Sequence, residues 1–180
     1  MTYVALLRGI GPTNPNMHPK KLTEAFEKMG FRNVRTVIAS GNVVFDPPAG
    51  GTSKNGAVLE TKIEKALPKL LGFSSTTIIR SKEELEKLLK KDPFDGAEHG
   101  PKNYSLVTFF KEHSSKVRTL PRKGSGFRVT RIFQKELCVV IDLKNTHTPE
   151  MMQKFEKEFG KAITSRTWKT VQRIVAKMNG

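Results

Sequence analysis

The sequence predicts an α+β fold, and three observations predict it. The first half reads strand, helix, strand, strand, helix, strand. The second half reads in the same order. Residues also match between the halves: "VVFD" (Val43–Asp46) parallels "VVID" (Val139–Asp142), and "RSKEELEKLLKK" from Arg80 parallels "RTWKTVQRIVAK" from Arg166. In the second match Arg80 aligns with Arg166, Ser81 with Thr167, Leu85 with Val171, Leu88 with Ile174 and Lys91 with Lys177. The offset falls from 96 residues to 86 between the two matches, which an extra loop in the first half would explain. Strand-helix-strand-strand-helix-strand is the split βαβ, or ferredoxin-like, pattern. The expected architecture is therefore two tandem ferredoxin-like βαββαβ units, each followed by an extra helix. Residues 1–95 form the first and 103–180 the second, with a boundary near Pro93 to Asn103.

Each element has a local reason. Thr2 to Arg8 is a short apolar run and reads as the first strand. A helix starts near Pro19, with Leu22, Ala25, Phe26 and Met29 on one face and Gly30 as its stop. "VRTVIAS" and "VVFD" are β-rich runs that meet at Gly41-Asn42, a hairpin signal. Pro47 to Ala57 is a Gly/Pro-rich loop. Leu59, Ile63, Ala66, Leu67, Leu70 and Leu71 form a helical stripe, which Pro68 is expected to kink or shorten. "STTIIR" is the fourth strand. Ser81 then opens a helix with Glu84 completing a capping box, and Leu85, Leu88 and Leu89 form its buried face.

In the second half "YSLVTFF" is a strand and "KEHSSKVRTLP" a short, weak helix. "FRVTRIFQ" and "ELCVVIDL" pair around Lys135-Glu136. Thr148 is expected to cap a helix with Pro149 at its first position and Met152, Phe155 and Phe159 inward. Gly160 stops it, "KAITS" is the last strand, and Arg166 to Lys169 precede and open a final helix carrying Trp168, Val171, Ile174, Val175 and Met178.

Four blocks, "YVALLRGI", "GFRNVRTVIASGNVVF", "RSKEEL" and "SRTWKTVQRI", occur in order over nearly the whole chain. Together they resemble the domain of unknown function 1697 family. The resemblance implies a duplicated ferredoxin-like α+β fold and brings no established activity and no catalytic residues. Two departures stand out. Where many members continue Arg-Gly-Ile-Asn-Val-Gly-Gly, this chain has "RGIGPTNPN", with Gly11 in place of the asparagine. Where the last block often reads Thr-Arg-Asn-Trp-Asn-Thr, Thr167 and Lys169 replace both asparagines.

The net charge of +15 is large for 180 residues, and it is uneven. Residues 1–95 carry 15 Lys+Arg against 10 Asp+Glu, and residues 96–180 carry 17 against 7. Such a field favours anionic partners, nucleotide or nucleic acid among them, and also serves solubility. No apolar run approaches the ~20 residues of a membrane-spanning helix, and no signal peptide is visible, so no membrane partner and a cytoplasmic location are expected. The lone cysteine, Cys138, lies among apolar neighbours and reads as a buried, inert thiol. His18, His99, His113 and His147 have no metal-ligand spacing, so no metal or cofactor is expected. No nucleophile–base motif appears, and enzyme status stays open with a lean against it.

Three stretches are candidate sites. The ferredoxin-like topology brings the end of strand one and the hairpin turn to one sheet edge. Arg8, Gly9, Asn14, Ser40, Gly41 and Asn42 should therefore cluster, with Arg8 and Asn42 facing a shared cavity suited to an anion. The same residues also make ordinary turns, with asparagine bonding its own backbone. The loop is not a dinucleotide fingerprint, because Asn14 stands where a third glycine is needed. Arg166, Thr167 and Lys169 at the final helix form a second candidate anion site. The third is "KVRTLPRKGSGFRVTRIFQK" (Lys116 to Lys135), with seven basic residues and no acid. There Arg118, Arg122, Lys123, Arg128 and Arg131 are nucleic-acid candidates, with Phe127 and Phe133 interleaved. The leading expectation is a binding protein for an anionic ligand, nucleotide or nucleic acid. The alternatives are an enzyme acting on a small phosphorylated or carboxylated substrate at the Arg8/Asn42 edge, and an interaction scaffold.

Overall fold

The structure is a computed structural model of the 180-residue chain. It describes residues 1–9, 13–38, 41–48, 55–96, 100–121, 123–124 and 126–180. The protein is α+β, with helices and two antiparallel sheets. Its chain divides into two compact units: Met1–Glu86 together with Arg173–Gly180, and Lys87–Gln172.

The first unit holds β1 (Tyr3–Leu7), α1 (Pro19–Lys28), β2 (Arg32–Thr36), β3 (Asn42–Asp46), α2 (Gly56–Leu71) and β4 (Thr77–Ser81). The sheet order is β2-β3-β1-β4, antiparallel throughout. β1 is an inner strand, which explains why all five of its residues are apolar and buried. Tyr3, Ala5 and Leu7 face a core shared with Leu22 and Phe26 of α1 and Leu59, Ile63 and Leu67 of α2. Asn55 starts α2 by accepting the Ala57 N–H at 3.0 Å. Gly72, at φ 71°, ends it in the left-handed conformation.

α2 does a second job. β4 is an edge strand, and its outward N–H groups lack a strand partner. Glu60 accepts the Ile79 N–H at 3.0 Å and Glu64 accepts that of Thr77 at 2.9 Å. Glutamates one turn apart on a helix thus stand in for a neighbouring strand.

Helix α3 (Lys82–Lys90) follows β4. The Ser81–Glu84 capping box is present. Ser81 N donates to Glu84 Oε2 at 2.7 Å, and Glu84 N donates to Ser81 Oγ at 3.2 Å.

The second unit holds β5 (Asn103–Phe110), a 3-10 turn (Ser115–Thr119), β6 (Lys123–Gly124), β7 (Phe127–Ile132), β8 (Glu136–Asp142), α4 (Thr148–Phe159) and β9 (Ile163–Thr167). Helix α5 (Trp168–Asn179) follows β9. The sheet order is β6-β7-β8-β5-β9. Apart from the added β6, this repeats the pairing order of the first sheet. Both hairpins also carry a register shift, between Arg32 and Arg35 and between Val129 and Arg131. The core is Leu106, Phe110, Val129, Leu137, Val139, Ile141, Met151, Phe155 and their neighbours. The 3-10 turn contributes Val117 to it, where the first unit has a full helix.

Several boundaries differ from the sequence reading. Strand two ends at Thr36 rather than Ser40, because Ile38 adopts φ 57°. No strand accommodates that angle. Pro68 neither shortens nor divides α2, which runs to Leu71; in its last turn the missing N–H removes a single bond. His147, not Thr148, is the α4 N-cap, and its N–H donates to Glu150 at 3.2 Å. Pro149 is then the second helical residue. Met151, one turn before Phe155, is in the core, while Met152 is half-buried. Leu89 is likewise half-buried. Arg166 and Thr167 belong to β9, and α5 begins at Trp168.

Candidate functional site

The opening loop and the hairpin turn do meet. Leu7 N donates to Gly41 O at 2.8 Å, and β1 Leu6 stands opposite Asn42. Gly41 is at φ +69°, and a Cβ there would lie 3.0 Å from Leu7 Cβ and 3.1 Å from Met17 Cε. Angle and space together demand glycine. Asn42 is 0% exposed and its amide donates to Val37 O at 2.9 Å, which closes the hairpin. In that state it presents nothing to a ligand. Arg8 is half-buried, and its backbone is held by Ser75 and Thr76: its N–H donates to Thr76 O at 3.0 Å and to Ser75 Oγ at 2.9 Å. Gly9 is exposed. Asn14 accepts the Asn16 N–H at 2.9 Å, and His18 accepts that of Lys20 at 3.4 Å. The free amides expected for an anion at this helix are thus partly taken by its own caps. Residues 10–12 and Ser40 lie outside the described residues.

Arg80 and Arg166 behave alike. Arg80 Nη1 donates to Ile79 O at 2.9 Å, and Arg166 Nη1 donates to Ser165 O at 2.8 Å. Arg166 also donates to Thr164 Oγ1 at 2.8 Å. Burial pushes the Arg166 pKa down to about 10, which leaves it charged at neutral pH. Thr167 caps α5, accepting the Thr170 N–H at 3.3 Å, as Ser81 caps α3. Lys169 is exposed.

The basic stretch separates into parts. Arg131 pairs with Asp95 at 2.9 Å on the surface. Phe127 is buried and its ring meets Phe155 edge-on, with centroids 6.0 Å apart. Lys154 lies 5.0 Å above that ring, and Lys91 lies 4.8 Å above the ring of Phe133. Arg122 and the side chain of Arg118 lie outside the described residues.

Lys123 and Arg128 remain, and they stand directly opposite each other on β6 and β7. Like charges in that position repel. Both are exposed, and neither side chain has a hydrogen bond or ion pair among the described residues. They line an open cavity of about 800 Å³ that also takes in Lys102, Lys144, Asn103 and Asn145. This volume lies within the range of ligand sites, roughly 300–1,000 Å³.

The floor of the cavity is built by turns. Gly126, at φ +76°, lets the chain pass Thr146; a Cβ there would come 2.7 Å from Thr146 Cβ. Asp142 N donates to Gly126 O at 2.9 Å, and Leu143 N donates to Lys102 O at 2.9 Å. The Asp142 carboxylate accepts from Lys144 N at 3.0 Å and from Asn145 Nδ2 at 2.6 Å. Its negative charge is thus engaged in shaping the turn. Against this one acid stand four cations, Lys102, Lys123, Arg128 and Lys144. Nothing in the sequence singles out Lys102 and Lys144. They come from separate segments, and only the β5–β8 pairing brings them to the basic hairpin.

Among the described residues no cluster of three or more His, Cys, Asp or Glu side chains could hold a metal ion. No helix there is long and apolar enough to cross a membrane. Cys138 is buried, and burial followed by the nearby Glu136 carboxylate drives its pKa well above the ordinary thiol value. Native protein at pH 8 should therefore resist iodoacetamide at least ~100-fold more than urea-unfolded protein, as followed by mass spectrometry. Comparable labelling rates in the two states would refute the inert assignment.

The family model for the protein of unknown function DUF1697 matches residues 1–137. The chain belongs to this family. Three of the four sequence blocks fall within the matched residues, and the last, around Arg166, lies beyond them. The fold is similar to that of a solved structure, the conserved bacterial protein SP0830 from Streptococcus pneumoniae, with a TM-score of 0.68 at 20% identity. The similarity covers 99% of this chain and 98% of that one. At this identity the likeness speaks for the fold alone. A search of the curated proteins finds no match.

Proposed function

We propose that this family member is a binding protein for a phosphate-bearing anion, nucleotide or nucleic acid, received in the groove of the second unit. The observation that carries this reading is the opposed Lys123–Arg128 pair, which has no acidic partner among the described residues. Like charges directly opposite each other across a strand pair are destabilising. An anion between them reverses the sign of that energy. The partner is taken to be anionic and the compartment cytoplasmic.

The same reading treats the two units as copies of one ferredoxin-like βαββαβ ancestor. The shared pairing order, the shared hairpin irregularity and the matching Arg80 and Arg166 bonds support this. The enzyme reading at the Arg8/Asn42 edge has less support, since Asn42 is closed into its hairpin.

The test is a panel of pyrophosphate, ATP and an oligothymidylate at low salt, scored by thermal shift and by competition for a labelled oligonucleotide. At least one should raise the melting point, because selective binding to the native state stabilises it. The double variant Lys123→Glu/Arg128→Glu should lose that shift while keeping its circular dichroism spectrum. If no anion binds, or if the variant binds as well as the parent, the reading is wrong.

A further inference from the structure

We infer that the groove takes a nucleic-acid strand by its backbone, spanning several phosphates and leaving the bases unread. This rests on the reading of the groove as an anion site and names its ligand.

The four cations of the groove form two pairs. Lys123 and Arg128 are cross-strand neighbours, and Arg128 stands opposite Val140 of β8. Lys102 and Lys144 form the other pair, tied together where Leu143 N donates to Lys102 O. Leu143 lies three residues beyond Val140. At a strand rise of about 3.3 Å per residue, the two pairs are on the order of 10 Å apart. A ligand with several phosphates can engage both pairs at once. Phosphates recur every ~3.4 Å along a duplex axis and are more widely spaced along an extended single strand, so about two to three steps bridge that distance. Asn103 and Asn145 line the same cavity. Amides of this kind position backbone oxygens.

The two aromatic rings of the basic stretch are already engaged within the protein. Single-strand readers hold bases on exposed aromatic rings. Here Phe127 is 4% exposed and belongs to the core. A lysine lies over the ring of Phe127 and another over that of Phe133. With stacking withdrawn, contact falls to charge and hydrogen bonding along the backbone. Such binding is sequence-independent and strongly salt-dependent.

The test uses the full chain and fluorescence anisotropy with labelled oligothymidylates, from a dinucleotide to roughly a dodecamer. Affinity should rise with length until both pairs are bridged, at about four to five nucleotides, and then level off apart from a statistical gain. The slope of log K against log salt should be about −3 for the longer strands, four phosphates at ~0.7 each. Lys123→Gln/Arg128→Gln and Lys102→Gln/Lys144→Gln should each bring that slope to about −1.4. Oligoadenylate should bind within a few-fold of oligothymidylate.

If ATP or pyrophosphate binds as tightly as the longest strand with a shallow slope, the backbone inference falls and the anion site stands. A strong preference for one base overturns the base-independent part. Unchanged slopes in both pair variants, with circular dichroism intact, remove the groove itself from the binding surface. Failure of every anion to bind overturns both readings.

Discussion

Phe45→Ala is expected to destabilise the protein by about 3–5 kcal/mol, the range for emptying a large buried aromatic site. Phe45 is completely buried on β3, where it lies opposite Tyr3 of β1. Its ring centroid is 4.4 Å from that of Phe31, 5.6 Å from Phe26 and 6.1 Å from Tyr3. These rings come from β1, α1, the turn after it and β3, so one side chain joins the helix to the sheet. The neighbours are large and well packed, and the cavity should collapse only in part. Against a total stability of roughly 5–15 kcal/mol, the loss is a major fraction. The melting midpoint should fall by roughly 10 °C or more. Urea unfolding followed by circular dichroism measures this directly. Phe45→Leu, which fills much of the site, should recover the larger part. A loss below ~1 kcal/mol for the alanine variant would show that the cluster is not the core of the first unit.

Much of this architecture is legible because buried strands and helices leave different apolar periods. The β1 run and the Leu59, Ile63, Leu67, Leu71 stripe need no tertiary knowledge. What escapes is set by backbone angles and by partners far along the chain. Ile38 belongs to a β-favouring residue type, yet it sits at φ 57° in the hairpin. Local propensity cannot show this, since the closing bonds between Val37 and Asn42 fix the turn. Strand β6 is two residues long and carries no period at all. Met151 rather than Met152 joins Phe155 in the core because residues three and four apart both share a helical face, and the sequence does not choose between them.

The candidate site is half legible for similar reasons. Lys123 and Arg128 belong to a visibly basic stretch, so composition points to them. Nothing in the stretch reveals that Arg131 pairs with Asp95, thirty-six residues earlier. Nor can it reveal Lys102 and Lys144, which join the groove through strand pairing and the turn after β8. Asn42 has a role that local sequence does not display: from a buried position its amide closes a backbone hairpin.

The double variant Glu60→Ala/Glu64→Ala is expected to gain a tendency to associate and to lose about 2–6 kcal/mol, twice the cost of one orphaned buried donor. The two carboxylates accept the N–H groups of Ile79 and Thr77 on edge strand β4. Glu60 is 5% exposed, so its site admits little water to replace a lost acceptor. Each orphaned buried donor costs about 1–3 kcal/mol, and there are two of them. Alanine keeps helix propensity, so the loss reports on the missing acceptors and packing rather than on α2 itself. Once uncovered, β4 offers unpaired N–H groups to another chain, the usual route to edge-to-edge pairing. Urea unfolding gives the first quantity, and light scattering against concentration gives the second. Glu60→Gln/Glu64→Gln separates acceptor from charge, because each amide oxygen can still take the N–H. If the glutamine variant matches the parent while the alanine variant falls and associates, the glutamates act as acceptors guarding the edge. If both variants keep the parent's stability and stay monodisperse, the edge is protected by other means.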